Sequence, residues 1–92
     1  MNDYSKMYRI HAIQRMFERN VSVDELSEII INGKLVEKYK NDSPFPGRLK
    51  LGRVNNRPLH VCYTEQEEEK RVIIVTVYDP DPRKWIKNLV RR

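Results

Sequence analysis

The sequence predicts an α+β fold, with an N-terminal helical pair packed on a twisted antiparallel four-stranded sheet and a short C-terminal helix. Three observations lead there. Apolar residues recur at helical spacing up to about Asn32, the pattern switches to period two from Lys34 onward, and turn residues punctuate the second half at short intervals. Ninety-two residues suffice for one domain with one modest core, so the chain reads as a single domain over 1–92.

Each element has its own signal. The first helix is expected from about Ser5 to Arg19, with Ile10, Ile13 and Phe17 as its core-facing stripe and Asn20 as its end. Ser22 and Glu25 form a capping box for the second helix, with Val21 and Leu26 as the hydrophobic staple across it. Gly33 is expected as its left-handed stop. A linker of one or two residues implies that the two helices pack tightly together. Leu35–Tyr39 reads as the first strand, and Asn41–Gly47, with two prolines and a glycine, as a loop. Arg48–Val54 and Leu59–Thr64 follow as strands around an Asn55-Asn56 turn that needs positive φ. Beyond a Glu-rich tip, Arg71–Tyr78 is apolar on both faces and is expected to be central. Asp81 as N-cap and Pro82 at the first helical position would open a C-terminal helix carrying Trp85, Ile86, Leu89 and Val90.

Composition narrows the function classes. Hydrophobic residues make up 39% and charged residues 34%, a globular balance and not that of disorder. No apolar run approaches the ~20 residues of a membrane helix, and no signal-peptide pattern opens the chain. The lone Cys62 cannot form an intrachain disulfide, so the expected setting is the cytoplasm. Lys and Arg number 18 against 13 Asp and Glu, a net charge of +5. Between Ser43 and Arg57 the bases Arg48, Lys50, Arg53 and Arg57 meet no acid, and none follows Asp81 beside Arg83, Lys84, Lys87, Arg91 and Arg92. Such clustering fits a nucleic-acid binder or a protein that docks an acidic partner, and it also fits plain solubility.

His11 and Arg15 stand one helical turn apart, and Arg19 continues their stripe. A histidine titrates near neutrality, and a neighbouring arginine can fork onto a phosphate. Spacing alone favours an ordinary solvated helix face. His60 shares a strand face with Cys62 and Thr64, and in the simplest register with Thr76 and Tyr78. Arg48 and Lys50 share a face of the strand before. Metal-free RNA cleavage needs a base for the ribose 2′-hydroxyl, an acid for the leaving oxygen and cations at phosphorus, and these residue types supply all three. The alternative is a partly buried histidine satisfied by one hydrogen bond, and the residues do not separate the two. Two histidines and one cysteine, without CxxC or HExxH spacing, argue against a zinc site, and no cofactor is expected.

Three segments carry a resemblance: the helix Ile10-His11-Ala12-Ile13-Gln14-Arg15-Met16-Phe17-Glu18-Arg19 with the following Val21–Glu25, the strand Arg57-Pro58-Leu59-His60-Val61, and Thr76-Val77-Tyr78-Asp79-Pro80-Asp81 leading to Trp85. Together they resemble the domain-of-unknown-function family 4258, grouped with RelE/ParE- and BrnT-like toxins of toxin–antitoxin systems, over nearly the whole chain. The resemblance implies a RelE-like fold and metal-independent endoribonuclease activity, on RNA and not DNA, with ribosome-bound mRNA and an acidic antitoxin as partners. It points to His11, Arg15, His60, Thr76 and Tyr78 as catalytic. Arg19, Arg48, Lys50 and Lys84 are the expected RNA contacts. The rival expectation is a non-catalytic RNA-binding or protein-interaction module.

Overall fold

Alternating apolar residues after Gly33 build a sheet that one face of each helix then covers. A computed structural model describes residues 4–39 and 47–92. In chain order these form β1 (Ser5–Tyr8), α1 (Ile10–Glu18), α2 (Val23–Asn32), β2 (Lys34–Tyr39), β3 (Gly47–Val54), β4 (Arg57–Gln66), β5 (Arg71–Tyr78), β6 (Trp85–Ile86) and β7 (Val90–Arg91). Of the expected loop Asn41–Gly47, all but Gly47 lies outside the described residues, and Gly47 is the first residue of β3 and not part of a loop.

The main sheet has five strands in the order β1-β5-β4-β3-β2. β2, β3, β4 and β5 pair antiparallel in sequence, while β1 lies parallel to β5 along Ser5–Tyr8 opposite Arg71–Ile74. This mixed sheet overturns the expected four-stranded antiparallel one. Ser5–Tyr8 is a strand and not the first turn of a helix. Tyr8 packs against the core, and the Ser5 and Arg9 amides bond to the Lys70 and Ile74 carbonyls at 2.9 and 3.1 Å. Asn55 and Asn56 turn at φ 51° and 66°, the left-handed conformation of a tight hairpin.

The Arg9 anchor sets the rotation of α1 and inverts its expected polarity. Ala12 and Met16 are buried against the sheet, and the small Ala12 lets the helix sit close to β5. Ile10, Ile13 and Phe17, the expected core stripe, are 75%, 53% and 89% exposed. Nor do the helices form a tight pair, since α1 packs on β5 while α2 packs on β3. Both halves of the capping box are present, at 3.1 Å from the Glu25 amide to Ser22 Oγ and 2.8 Å from the Ser22 amide to Glu25 Oε1. Gly33 has φ −68°, so it is no left-handed stop. Its role is steric, because a Cβ there would lie 2.3 Å from the Ile29 carbonyl oxygen and 2.8 Å from that of Leu51.

Leu59, Val61 and Tyr63 of β4, with Val72, Ile74 and Val77 of β5, meet Leu26, Ile29 and Ile30 of α2 in one aliphatic core. The intervening residues face the other way. There His60 stands opposite Tyr78, and Cys62 opposite Thr76 on one side and Leu49 on the other.

That second face is covered by the C-terminal segment, which is a β-hairpin and not the expected helix. Asp81 does start a turn, accepting from the Lys84 and Trp85 amides at 2.8 and 3.0 Å. The chain then reverses through Lys87 and Asn88 at φ 53° and 65°, pairing Ile86 with Val90 and Trp85 with Arg91. Extended backbone lets Trp85 fill the space over His60 while Asn88 presents its carbonyl to the same ring.

Candidate functional site

The second sheet face brings His60, Tyr78 and Thr76 to adjacent positions. His60 is 0% exposed. Its Nε2 lies 2.7 Å from the Asn88 carbonyl oxygen and its Nδ1 3.1 Å from the Tyr78 hydroxyl. A carbonyl only accepts, so Nε2 carries the proton and donates to Asn88, leaving Nδ1 to accept from Tyr78. The ring meets Trp85 edge-on at 4.6 Å between centroids and Tyr78 at 5.2 Å. Burial pushes the His60 pKa below its ordinary value, partly offset by the Asn88 carbonyl, and burial pushes the Tyr78 phenol up. His60 is thus a neutral imidazole with both nitrogens engaged, and it ties the hairpin to the sheet.

A second layer of polar groups surrounds this anchor. Arg91 stacks 4.5 Å over the Trp85 ring and donates from Nε to Glu37 at 2.8 Å. Glu37 also accepts from the Tyr39 hydroxyl at 2.5 Å. Burial raises the Glu37 pKa, but hydrogen bonds from Arg91 and Tyr39 outweigh it and hold the carboxyl below its ordinary value. A pocket of about 330 Å³ opens beside the hairpin, lined by Tyr78, Asp79, Asp81, Lys84, Trp85 and Arg91. The expected RNA contact Lys84 is exposed at its rim.

His11 and Arg15 are on α1, across the sheet from His60. His11 is exposed, and Arg15 Nε donates to its Nε2 at 3.4 Å. Arg15 Nη1 reaches Glu18 at 2.9 Å, and Arg19 meets the same carboxylate at 3.5 Å. Arg19 and Arg57 both approach Asp79, at 4.0 and 3.8 Å. The row His11–Arg15–Glu18–Arg19–Asp79–Arg57 therefore runs unbroken from the helix to the end of the sheet. Arg57 and Asp79 lie inside the segments carrying the family resemblance, and their pairing is visible only once β4 and β5 are in register.

Arg48 and Lys50 face the helices, not His60, because they pair with Tyr63 and Val61. Both are engaged there. Arg48 pairs with Glu65 at 2.5 Å, and Lys50 Nζ donates to the Ile30 carbonyl at 2.6 Å, near the C-terminal end of α2, where a cation complements the helix dipole. Among the described residues no three His, Cys, Asp or Glu side chains cluster as metal ligands, and no helix is long and apolar enough to cross a membrane.

The arrangement offers one accessible imidazole beside a guanidinium row, and one sealed imidazole that anchors a hairpin. No curated protein and no solved structure matches the chain. Residues 8–79, from the end of β1 to the Asp79 that closes the charged row, match the family described as Domain of unknown function (DUF4258), and the chain belongs to that family.

Proposed function

We propose that the chain is a metal-independent endoribonuclease of the toxin kind, holding RNA along the α1 row and moving the proton with His11. One observation carries the reading: an exposed imidazole is bonded to Arg15 at the head of a row of guanidiniums. Arg15 binds the scissile phosphate through its forked donors, and Arg19 holds the RNA farther along the row. Arg15 turns from His11 to the phosphate, which leaves Nε2 to take the ribose 2′-hydroxyl proton. The 2′-oxygen attacks phosphorus, the bond to the 5′-oxygen breaks, and water protonates the leaving oxygen. The products are a 2′,3′-cyclic phosphate and a 5′-hydroxyl. In this reading His60, Tyr78 and Thr76 position the hairpin and its pocket, and Lys84 extends the RNA track. The kinship with RelE/ParE- and BrnT-like toxins belongs to the same proposal, as do an acidic antitoxin attracted to the basic row and ribosome-bound mRNA in the cytoplasm as substrate.

The test is incubation of labelled RNA in EDTA with wild type, His11→Ala, Arg15→Ala and His60→Ala. Loss of His11 should slow cleavage by roughly 10²–10⁴-fold, the scale of general acid–base catalysis. Cleavage at the wild-type rate by His11→Ala overturns the role of His11, and no cleavage by wild type overturns the enzyme reading.

A second reading is favoured by the sealing of His60, which leaves the exposed surface without an acid–base pair of histidines. On it the chain is a non-catalytic RNA-binding module, with affinity that falls steeply with salt and no product.

A further inference from the structure

Arg19 ends α1, Arg57 opens β4, and Asp79 follows β5, so three separate elements deliver them to one end of the sheet. Both guanidiniums approach the same oxygen, Asp79 Oδ1, through their Nε atoms. Neither contact is a hydrogen bond. Separations of 3.8 and 4.0 Å lie well beyond the ~2.7–3.2 Å of an N–H···O bond. Arg19 Nε and Arg57 Nε are both shielded from solvent and bond to nothing. The fork is nonetheless held in place, since Arg57 Nη2 donates to the Arg19 carbonyl and Arg19 Nη1 meets Glu18. The Asp79 side chain is 53% exposed, with solvent on its outer side.

Two guanidiniums on different elements thus converge on one loosely held carboxylate that hydrogen-bonds to neither Nε. We propose that Arg19 and Arg57 form a phosphate-binding subsite in which Asp79 is an internal stand-in for the phosphate. The two non-bridging oxygens of a phosphodiester stand farther apart than those of a carboxylate, so the group reaches both forks once Asp79 turns away. The phosphate is a backbone phosphodiester of RNA, next along the row from the group held by Arg15. This inference rests on the RNA-binding reading, though not on catalysis.

The experiment measures binding of a labelled single-stranded RNA across a salt series. The proteins are wild type, Asp79→Asn, Arg57→Gln, the double variant, and Glu68→Gln, which makes the same charge change in the turn at the opposite end of β4 and β5. Thermal unfolding checks that each is folded, and Arg57→Lys serves if Arg57→Gln is not. Asp79→Asn should tighten binding about 3–10-fold at low salt, the size of one added charge contact. Arg57→Gln should weaken binding and lower the salt slope by about one. In the double variant the gain should vanish. Equal gains from Asp79→Asn and Glu68→Gln would reduce the effect to net charge and overturn the subsite, as would no gain from Asp79→Asn. Wild type without RNA affinity overturns the RNA reading, and inorganic phosphate then decides the subsite by NMR. Saturable shifts of the Arg19 and Arg57 Nε–H signals support it, and their absence overturns it.

Discussion

The two faces of the sheet are closed by different physics. The helix face buries Leu26, Ile29, Ile30, Leu59, Val61, Ile74 and Val77, side chains that need only shape and area. The hairpin face buries His60 among Trp85, Tyr78 and the Asn88 carbonyl, with Arg91, Glu37 and Tyr39 beyond. Seven residues of hairpin offer little area, so directed bonds do there what apolar area does on the other face. The hairpin face should therefore be the more sensitive of the two to pH and salt.

The largest effect expected is on the helix face. Leu26→Ala removes a fully buried side chain and should cost about 2–5 kcal/mol in denaturant unfolding, with helix and sheet lost together. His60→Phe keeps a flat aromatic ring in place but leaves the Asn88 carbonyl and the Tyr78 hydroxyl without their partner. Its cost should be about 1–3 kcal/mol, concentrated in the hairpin. Trp85 is the single tryptophan, so its fluorescence should shift red while the circular dichroism of the sheet stays. A simultaneous loss of both signals would show that the two faces are not separable.

The same histidine gives the pH test. Its folded pKa is lowered below the ordinary 6.5, so above 6.5 neither state binds the proton and its contribution is complete. As pH falls below 6.5 the unfolded chain takes the proton first. Stability should then decline down to the folded pKa and level off beneath it. His60→Phe should abolish this slope. Glu37, held below the ordinary 4.5, contributes above that value and is lost as pH falls through its lower folded pKa, a separate and more acidic window. A wild-type Trp85 signal that is flat just below 6.5 would remove His60 as the source.

How legible this was depended on whether a signal was local. The capping box at Ser22 and Glu25 and the Asn55-Asn56 turn act within four residues, and both were readable from the chain. The rotation of α1 was not. It depends on the Arg9 amide finding the Ile74 carbonyl, a pairing across 65 residues, and Ile10, Ile13 and Phe17 imitate a core stripe perfectly well without it. The C-terminal helix failed for the same reason, because Asp81-Pro82 is a sound helix start. What overrides it is the fit of Trp85 and Asn88 to His60 on a distant strand. Among the site residues, the alternation of β4 placed His60, Cys62 and Thr64 on one face, while the charges that complete the α1 row, Arg57 and Asp79, required the register of β4 and β5.

A smaller effect tests the outer layer of the hairpin face. Arg91→Ala removes an exposed ion pair with Glu37 and the stack on Trp85, and should cost about 1 kcal/mol or less. Raising salt should erase part of the difference between wild type and variant. A loss equal to that of His60→Phe would mean that the outer charges, and not the imidazole, hold the hairpin down.

The smallest effect separates the two sides of α1. Phe17→Glu places a charge where the helix projects into solvent, and a change there should stay within about 0.5 kcal/mol. Met16→Glu, one position earlier, places the same charge against β5 and should cost several times more, since a buried carboxylate lacks both water and a partner. A helix rotated to bury Ile10, Ile13 and Phe17 reverses that order. The pair therefore discriminates between the two rotations even if both absolute values differ from expectation. It also checks the charged row, because the rotation that buries Ala12 and Met16 is the one that carries Arg19 to Asp79 at the end of β5.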